Sequence, residues 1–195
     1  MEEAKTLSRR GLAHLSIVYL VWGSTYLAIR IAVRDGSGFP PFTMALMRVI
    51  VASAILLTWA KLRGERIRLN RGELGLLLGS GLMLWVGGNG LVSWAEMRVS
   101  SGLAALLVAA MPIWGECVNC IVDRRWPGWK MSGSIVLGFI GVGVLSWPVL
   151  SRGTTADILS VVALLLAPLS WAAGSIWLQR RKLDLSDRAM SGWQQ

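Results

Sequence analysis

Six segments of about 18 to 22 residues are each apolar enough to cross a lipid bilayer, whose hydrocarbon core of ~30 Å requires ~20 helical residues. Hydrophobic residues make up 54% of the 195-residue chain and charged residues only 16%, whereas charged residues form roughly a quarter of ordinary soluble domains. The chain is therefore predicted to be an all-α, polytopic transmembrane helix bundle. Its six predicted spans are Leu12–Val33, Pro40–Ala60, Leu74–Ser93, Ser101–Val122, Met131–Leu150 and Ile158–Leu178.

The net charge of +9 follows this predicted topology. If the N-terminus is cytoplasmic, fifteen of the 20 lysine and arginine residues fall on the cytoplasmic side and three on the outer side, as the positive-inside rule requires. This uneven distribution of lysine and arginine indicates the orientation of the chain in a bilayer and not binding to nucleic acid. It predicts a multi-pass membrane protein with a cytoplasmic N-terminus. The predicted cytoplasmic segments after the N-terminus are Lys61–Glu73, Asp123–Lys130 and Gln179–Arg188, and the outer arginines are Arg34, Arg98 and Arg152.

Residues that carry catalytic or metal chemistry are few. His14 is the only histidine, and the two cysteines, Cys117 and Cys120, form a single CVNC motif, so the four ligands of a zinc site cannot be assembled. The spans hold no paired aspartates, no His–Glu metal set and no Ser–His pair. The sequence predicts no cofactor, no metal and no catalytic residue, and an intramembrane enzyme is the weakest of the alternatives.

Polar and aromatic side chains recur at helical spacing within four of the spans, so they form stripes on single helix faces. We expect these faces to point into the bundle, because a polar stripe facing lipid would be penalised. The alternative is ordinary hydrogen bonding between helices, at ~0.6 kcal/mol on average, which is sufficient for Ser24 and Ser175. The stripes are Tyr19, Trp22, Tyr26 and Arg30; Trp85, Asn89, Ser93 and Glu96; Pro112, Glu116 and Cys120; and Pro168, Trp171, Ser175 and Gln179.

Arg48 lies eight residues after Pro40, roughly 12 Å along a helix and close to the middle of the bilayer. An arginine there costs ~2.5 to 3.5 kcal/mol even on the gentler insertion scale. We therefore expect Arg48 to face a hydrated cavity or a carboxylate partner, either Glu116 or Glu96, and the alternative is a structural ion pair or carbonyl cap. Arg30 and Glu96 lie near outer ends of spans, where the arginine is expected to snorkel and the carboxylate to be hydrated.

The first and sixth spans are similar to each other. One begins LSIV and the other LSVV, and both continue to a Trp-(Gly/Ala) step followed by a serine. Because an odd number of spans separates their starting points, the two copies would cross the membrane in opposite directions, as inverted-topology repeats do. Chance agreement between two apolar segments is the alternative.

Several motifs together resemble the EamA-type exporters of the drug/metabolite transporter superfamily. They are VWGSTYLAIRIAV, PPFTMALMRVIVASAILL, GNGLVSWAEMRVSSGLAALLVAAMPIW and LSWAAGSIWLQRR. The resemblance implies ten helices in two inverted repeats of five around a central cavity, with both termini in the cytoplasm. It implies that residues 1–150 are the first repeat and residues 151–195 the start of the second, and we expect a chain truncated after the sixth helix.

The resemblance and the polar stripes together predict an exporter of small, amino-acid-like or drug-like metabolites that works by alternating access. Its partners would be the small-molecule substrate, the lipid bilayer and either a second copy or a missing C-terminal half. The alternative is a truncated, non-transporting membrane remnant or an assembly-only subunit. The substrate-cavity candidates are Trp22, Ser24, Tyr26, Arg48, Asn89, Glu116, Trp171 and Ser175, and the hinge or packing candidates are Gly23, Pro112 and Pro168.

Overall fold

The computed structural model describes residues 9–33, 40–152 and 155–195. In these ranges the chain is helical, with short connections and no strand. The order of helices is α1 (Arg9–Val33), α2 (Pro41–Leu62), α3 (Arg71–Gly81), a π-helix (Leu82–Gly90), α4 (Leu91–Ala95), α5 (Ser101–Val108), α6 (Met111–Val122), α7 (Trp129–Arg152), α8 (Thr155–Gln179) and α9 (Asp187–Gln194).

The prediction of a polytopic helical membrane bundle is confirmed. Five helical segments are long and apolar enough to span a bilayer, and they cover the first, second, third, fourth and sixth predicted spans. The fifth predicted span lies in α7, whose described apolar part is Trp129–Val144. The five spans are Gly11–Val33, Pro41–Leu62, Arg71–Ala95, Ser101–Val122 and Asp157–Gln179.

Local sequence explains where several helices begin. α2 starts directly after Pro40, with a second proline in its first turn, where the missing N–H has no helical partner to lose. α3 starts with a capping box: the Asn70 side chain accepts from the Glu73 backbone N–H and the Glu73 carboxylate accepts from the Asn70 N–H, both at 2.8 Å. Arg66 also binds Glu73 at 2.7 Å, so the connection between α2 and α3 is tied to the start of the third span.

The third span contains a π-helix in its middle, with the sequence LMLWVGGNG. Such segments are rare and are often found at functional sites. Its glycines allow α8 to approach: a Cβ at Gly88 would lie 2.9 Å from the indole of Trp171, and one at Gly87 would overlap the Ser170 hydroxyl. Ser170 in turn donates to the Met83 carbonyl at 2.8 Å. This close contact fixes the π-helix against α8.

The fourth span has the predicted bounds, Ser101–Val122, but its helix is interrupted in the middle. α5 ends at Val108 and α6 begins at Met111, with Ala109 and Ala110 between them. Pro112 is the cause, because a proline has no N–H to donate and its ring clashes with the carbonyl four residues earlier, here that of Val108. The break lies at the depth of the cavity described below.

α8 is the central helix of the described bundle and packs against α3, the π-helix, α4, α5 and α6. The main apolar core lies between α4, α5 and α8, and includes Val92, Ala95, Leu107, Leu164 and Ala167. α9 packs on α2 and α3. In contrast, α1 and α2 bury little of their surface and expose many large apolar side chains, as expected of helices that contact lipid or further helices.

Candidate functional site

A cavity of about 320 Å³ lies between α1, α2, the π-helix, the α5–α6 break and α8. It reaches the size at which pockets for small molecules begin. Most of its wall is apolar, and it includes Ile29, Val92, Val108, Met111 and Ala167. The α5–α6 break contributes Val108 and Met111 from either side of the interruption, so the broken helix helps to form the cavity.

Three tryptophans from three different helices form one side of the cavity. Trp171 of α8 lies in the middle, with its ring centroid 6.2 Å from that of Trp22 and 6.0 Å from that of Trp85. The interplanar angles of 64° and 56° are close to the edge-to-face arrangement that aromatic quadrupoles favour. Gly88 leaves the space that Trp171 occupies. The three indoles together offer an aromatic surface made of inclined rings.

The cavity holds few polar groups. Asn89 is buried, and its side-chain N–H reaches the Leu84 carbonyl at 3.5 Å, a long and weak hydrogen bond. The Thr25 hydroxyl donates to the Val21 carbonyl on its own helix at 2.7 Å. The Asn89 amide is therefore only loosely held, and a bound molecule with hydrogen-bonding groups could replace its contact.

Arg48 lines the same cavity from α2 and its side chain is exposed there. In the described ranges it makes no ion pair, so of the two alternatives, a cavity or a carboxylate partner, the partner (Glu116 or Glu96) is not observed. Glu116 pairs with Arg125 at 2.7 Å, because it lies in the half of the fourth span that leads to the connection carrying Arg125. Arg48 therefore brings an uncompensated positive charge to the cavity.

Glu96 also differs from expectation. We expected a hydrated carboxylate, but the side chain is fully buried and neither carboxylate oxygen has a hydrogen-bond partner among the described residues. Arg30 reaches this region from α1, but its guanidinium donates to the backbone carbonyl of Glu96 and not to the carboxylate. Tertiary packing, invisible to a hydropathy pattern, covers this position.

Of the predicted candidates, the structure brings six together around the cavity and leaves five outside it. Ser24 donates to the Val21 carbonyl of its own helix at 3.1 Å, and Gly23 has no neighbour close to the position of a Cβ. Pro112 lies at the α5–α6 break. The functional roles of all these residues stay predictions. Those that line the cavity are Trp22, Tyr26, Arg48, Asn89, Pro168 and Trp171, and those outside its lining are Gly23, Ser24, Pro112, Glu116 and Ser175.

Sequence reasoning missed several lining residues. Trp85 stood in a recognised stripe, one turn before Asn89, and the helical period could have identified it as a candidate. The apolar members, among them Val108 and Met111, carry no such signal, because nothing in an apolar run separates cavity-facing from lipid-facing positions. In the described part of the chain, no three His, Cys, Asp or Glu side chains are grouped in a way that could hold a metal ion.

Residues 9–147 match the model of the EamA-like transporter family. The chain is 34% identical over 173 residues to the "Uncharacterized inner membrane transporter YedA" of Escherichia coli K12, which covers 88% of this chain and 54% of that protein. It is 21% identical over 179 residues to the "Uncharacterized transporter YoaV" of Bacillus subtilis, covering 90% and 59% of the two chains. The chain thus spans little more than half the length of these relatives. No solved structure matches it.

Proposed function

Because this chain belongs to the EamA-like transporter family, we propose that it supplies the substrate-binding wall of a permease that exports small metabolites by alternating access. It is a multi-pass protein of the inner membrane, of the drug/metabolite transporter kind. In this proposal, residues 1–150 are the first of two inverted repeats and residues 151–195 begin the second. The cavity between α1, α2, the π-helix and α8 is the transport site.

One observation carries this proposal: the tryptophan wall and the unpaired Arg48 face the same cavity. A planar or apolar body would pack on Trp22, Trp85 and Trp171, as ligands do in aromatic-lined pockets. A carboxylate or similar anion would bind Arg48, whose guanidinium offers two parallel N–H donors. The arrangement favours small amphipathic anions and zwitterions, which include amino-acid-like metabolites and many drug-like compounds.

The cavity has an open side. Trp22 on α1 is 53% exposed, and Arg48 on α2 is also exposed at the rim. A cation and an indole in these positions would face hydrocarbon without a further wall, which is unfavourable for the cation. We therefore propose that a second copy of this chain or additional helices close the cavity.

The experiment compares two tryptophan variants in cells that express the protein. Trp22→Ala removes an exposed cavity indole, whereas Trp147→Ala removes an indole that is 67% exposed on α7 and does not line the cavity. Untargeted mass spectrometry of the medium identifies compounds whose release depends on the wild-type protein. We expect Trp22→Ala to reduce that release at equal membrane abundance and Trp147→Ala to preserve it.

Two outcomes would contradict the proposal. Equal release with Trp22→Ala and Trp147→Ala would mean that the cavity is not the transport site. A wild-type protein that reaches the membrane normally but changes no compound in the medium would favour the alternative, a non-transporting or assembly-only membrane subunit.

A further inference from the structure

Glu96 is the most unusual ionisable group in the described bundle. It follows directly after α4, at the point where the third span ends. Its side chain is 0% exposed and both carboxylate oxygens lack a hydrogen-bond partner. The hydroxyl of Ser93, one turn earlier, is also buried and unpartnered in the described structure. Two neighbouring polar side chains are thus buried, and neither makes a hydrogen bond to the described residues.

Apolar residues of the bundle core bury Glu96. Val92, Ala95 and Val99 flank it along the chain, and all three belong to the apolar core shared with α8. On the other side, Met97 packs with α1 and α2 around Ile29 and Met44. The residues around Glu96 in the chain thus pack on α1, α2 and α8, and its side chain is fully buried.

An unpaired carboxylate in such a place is unfavourable, because ionised groups lose far more solvation on burial than neutral ones. Burial raises the pKa of Glu96 to about 8, although the nearby charge of Arg30 acts in the opposite direction. The neutral, protonated form is thus the stable form at neutral pH. The charge of Glu96 then depends on the pH and on the position of the neighbouring Arg30.

The charged and titratable surroundings of Glu96 are simple. From α1 it is approached by Arg30 and Tyr26. The connection to α5 adds the exposed Arg98, and α5 itself has no charged residue. On α2 the first charged residue is Arg48, about two turns inside the helix, and on α8 the acidic residue nearest that end is Asp157. Arg30 is the cation placed to compensate an ionised Glu96.

Arg30 already lies beside Glu96 but uses its guanidinium on the backbone carbonyl of that residue. The carbonyl and the carboxylate belong to the same residue, so a movement of the arginine side chain, together with the turns that carry the pair, would bring it from one to the other. On release, the carboxyl proton passes to water, the guanidinium keeps its charge, and the Arg30–Glu96 pair changes from a net charge of +1 to zero. The two states differ in the proton on Glu96 and in which Glu96 oxygen, carbonyl or carboxylate, accepts from Arg30.

We propose that Glu96 is a proton-binding site, filled when Arg30 rests on the backbone carbonyl and emptied when Arg30 turns to the carboxylate, and that this exchange couples protons to the transport cycle. The coupling part of the inference rests on the proposed export function, whereas the proton site does not. Its ligand is a single proton.

The position of the pair links it to the cavity. On α1, the lining residues Tyr26 and Ile29 lie within one turn of Arg30, and on α4 the lining residue Val92 lies one turn before Glu96. A displacement of these two helix turns would therefore change both the cavity wall and the contact between Arg30 and Glu96. Substrate in the cavity would change the proton affinity of Glu96 through these two turns. By linkage, a proton on Glu96 would change the affinity for substrate by the same factor.

Infrared titration of the purified protein in lipid nanodiscs tests the proton site without any substrate. The carbonyl stretch of a protonated carboxylic acid should be present at neutral pH and disappear with a midpoint near 8. Glu96→Gln should abolish this band, and Asp184→Asn, which alters an exposed carboxylate, should preserve it. Arg30→Gln should raise the midpoint, because the ionised form loses its neighbouring cation.

The proton site is overturned if the band is missing from the wild type at neutral pH or if it survives in Glu96→Gln. Should Glu96→Gln fail to fold, the shift of the midpoint in Arg30→Gln decides instead, and an unchanged midpoint overturns the pairing. These results do not depend on transport, so they stand even if the proposed function fails.

A second experiment tests the coupling in proteoliposomes, with a compound identified from the medium of expressing cells. Both wild type and Glu96→Gln should exchange labelled compound across the membrane in the absence of a gradient. Only the wild type should accelerate net flux when a pH gradient is imposed. An equal acceleration in Glu96→Gln would overturn the coupling, whereas a wild type that moves no compound would contradict the export function alone.

Discussion

The guanidinium of Arg188 binds the carboxylate of Glu65 across 123 residues of sequence, with the Arg188 Nε atom 3.0 Å from Glu65 Oε1. The Ser186 hydroxyl donates to the same carboxylate, and the Trp193 indole N–H donates to the Ile67 carbonyl at 2.9 Å. These contacts attach α9 to the connection between α2 and α3. They lie at the end of the bundle that the charge distribution assigns to the cytoplasm.

The attachment of α9 should weaken in acid. The hydrogen bonds from Arg188 and Ser186 lower the pKa of Glu65 below its ordinary value of 4.5. A carboxylate with a depressed pKa stabilises the folded contact above its unfolded pKa and loses this contribution as the pH falls through the folded pKa. We expect amide hydrogen exchange in α9, corrected for intrinsic rates, to be slow at neutral pH and to rise once the pH falls below that ordinary value.

Glu65→Gln should produce the same faster exchange in α9 at neutral pH, because the neutral amide cannot replace the ion pair. Asp184→Asn, which changes an exposed side chain in the connection between α8 and α9, is the matched control and should leave exchange unchanged. Slow exchange in Glu65→Gln at neutral pH would show that the other contacts of α9 hold it in place without the ion pair.

The contact between α8 and the third span should not tolerate a methyl group at Gly174. A Cβ there would lie 2.9 Å from the Met83 Cβ and 3.0 Å from the Ser80 carbonyl oxygen, so the helices must separate. Overpacking of this kind costs ~1–3 kcal/mol. We expect Gly174→Ala to lower the melting temperature of the purified protein.

Gly141→Ala is the control for this prediction, because nothing lies within 4 Å of a Cβ at this position of α7. It should be neutral or slightly stabilising, since alanine favours a helix over glycine by roughly 0.5–1 kcal/mol. Equal melting temperatures for the two variants would mean that α8 does not pack on the third span as described.

The orientation in the membrane is testable by cysteine labelling. In a background without Cys117 and Cys120, Arg98→Cys on the connection between α4 and α5 should react with a membrane-impermeant maleimide in intact cells. Asn70→Cys, before α3, should react only after the membrane is opened. The reverse pattern would overturn a cytoplasmic N-terminus. Two other predicted outer positions, Gly36 and Thr154, lie outside the described residues.

The spans could be predicted well because length and apolar composition are local properties of the sequence. The second span, predicted as Pro40–Ala60, is observed as Pro41–Leu62. The break in the fourth span also has a local signal in Pro112, which the sequence offers as a hinge or packing candidate. The π-helix was not predicted, and the contacts of its Gly87 and Gly88 with α8 appear only in the folded bundle.

The candidate site could be predicted only in part. Trp22, Asn89 and Trp171 were singled out because helical periodicity places them on polar faces, and the structure brings these faces together. Ion-pair partners could not be predicted in the same way, since they depend on how far one helix is shifted along another. They also depend on how a connection folds back, as where Arg125, after α6, pairs with Glu116. The burial of Glu96 likewise depends on packing between distant helices.

Arg48 tests the central claim, that the cavity is the transport site, most directly. Arg48→Lys keeps the positive charge but loses the planar arrangement of donors that binds a carboxylate at two points. One charge-assisted hydrogen bond contributes ~1.5–3 kcal/mol, so its loss corresponds to a fall in flux of about tenfold or more. Arg48→Ala removes both charge and donors and should reduce flux further.

The measurement is the flux of an exported anionic or zwitterionic compound per protein molecule, made together with the membrane abundance of each variant. The account predicts near wild-type abundance for Arg48→Lys and a flux per molecule that falls from wild type to lysine to alanine. Flux per molecule that stays at the wild-type value while abundance falls in both variants would contradict it, because Arg48 would then serve only to stabilise the bundle.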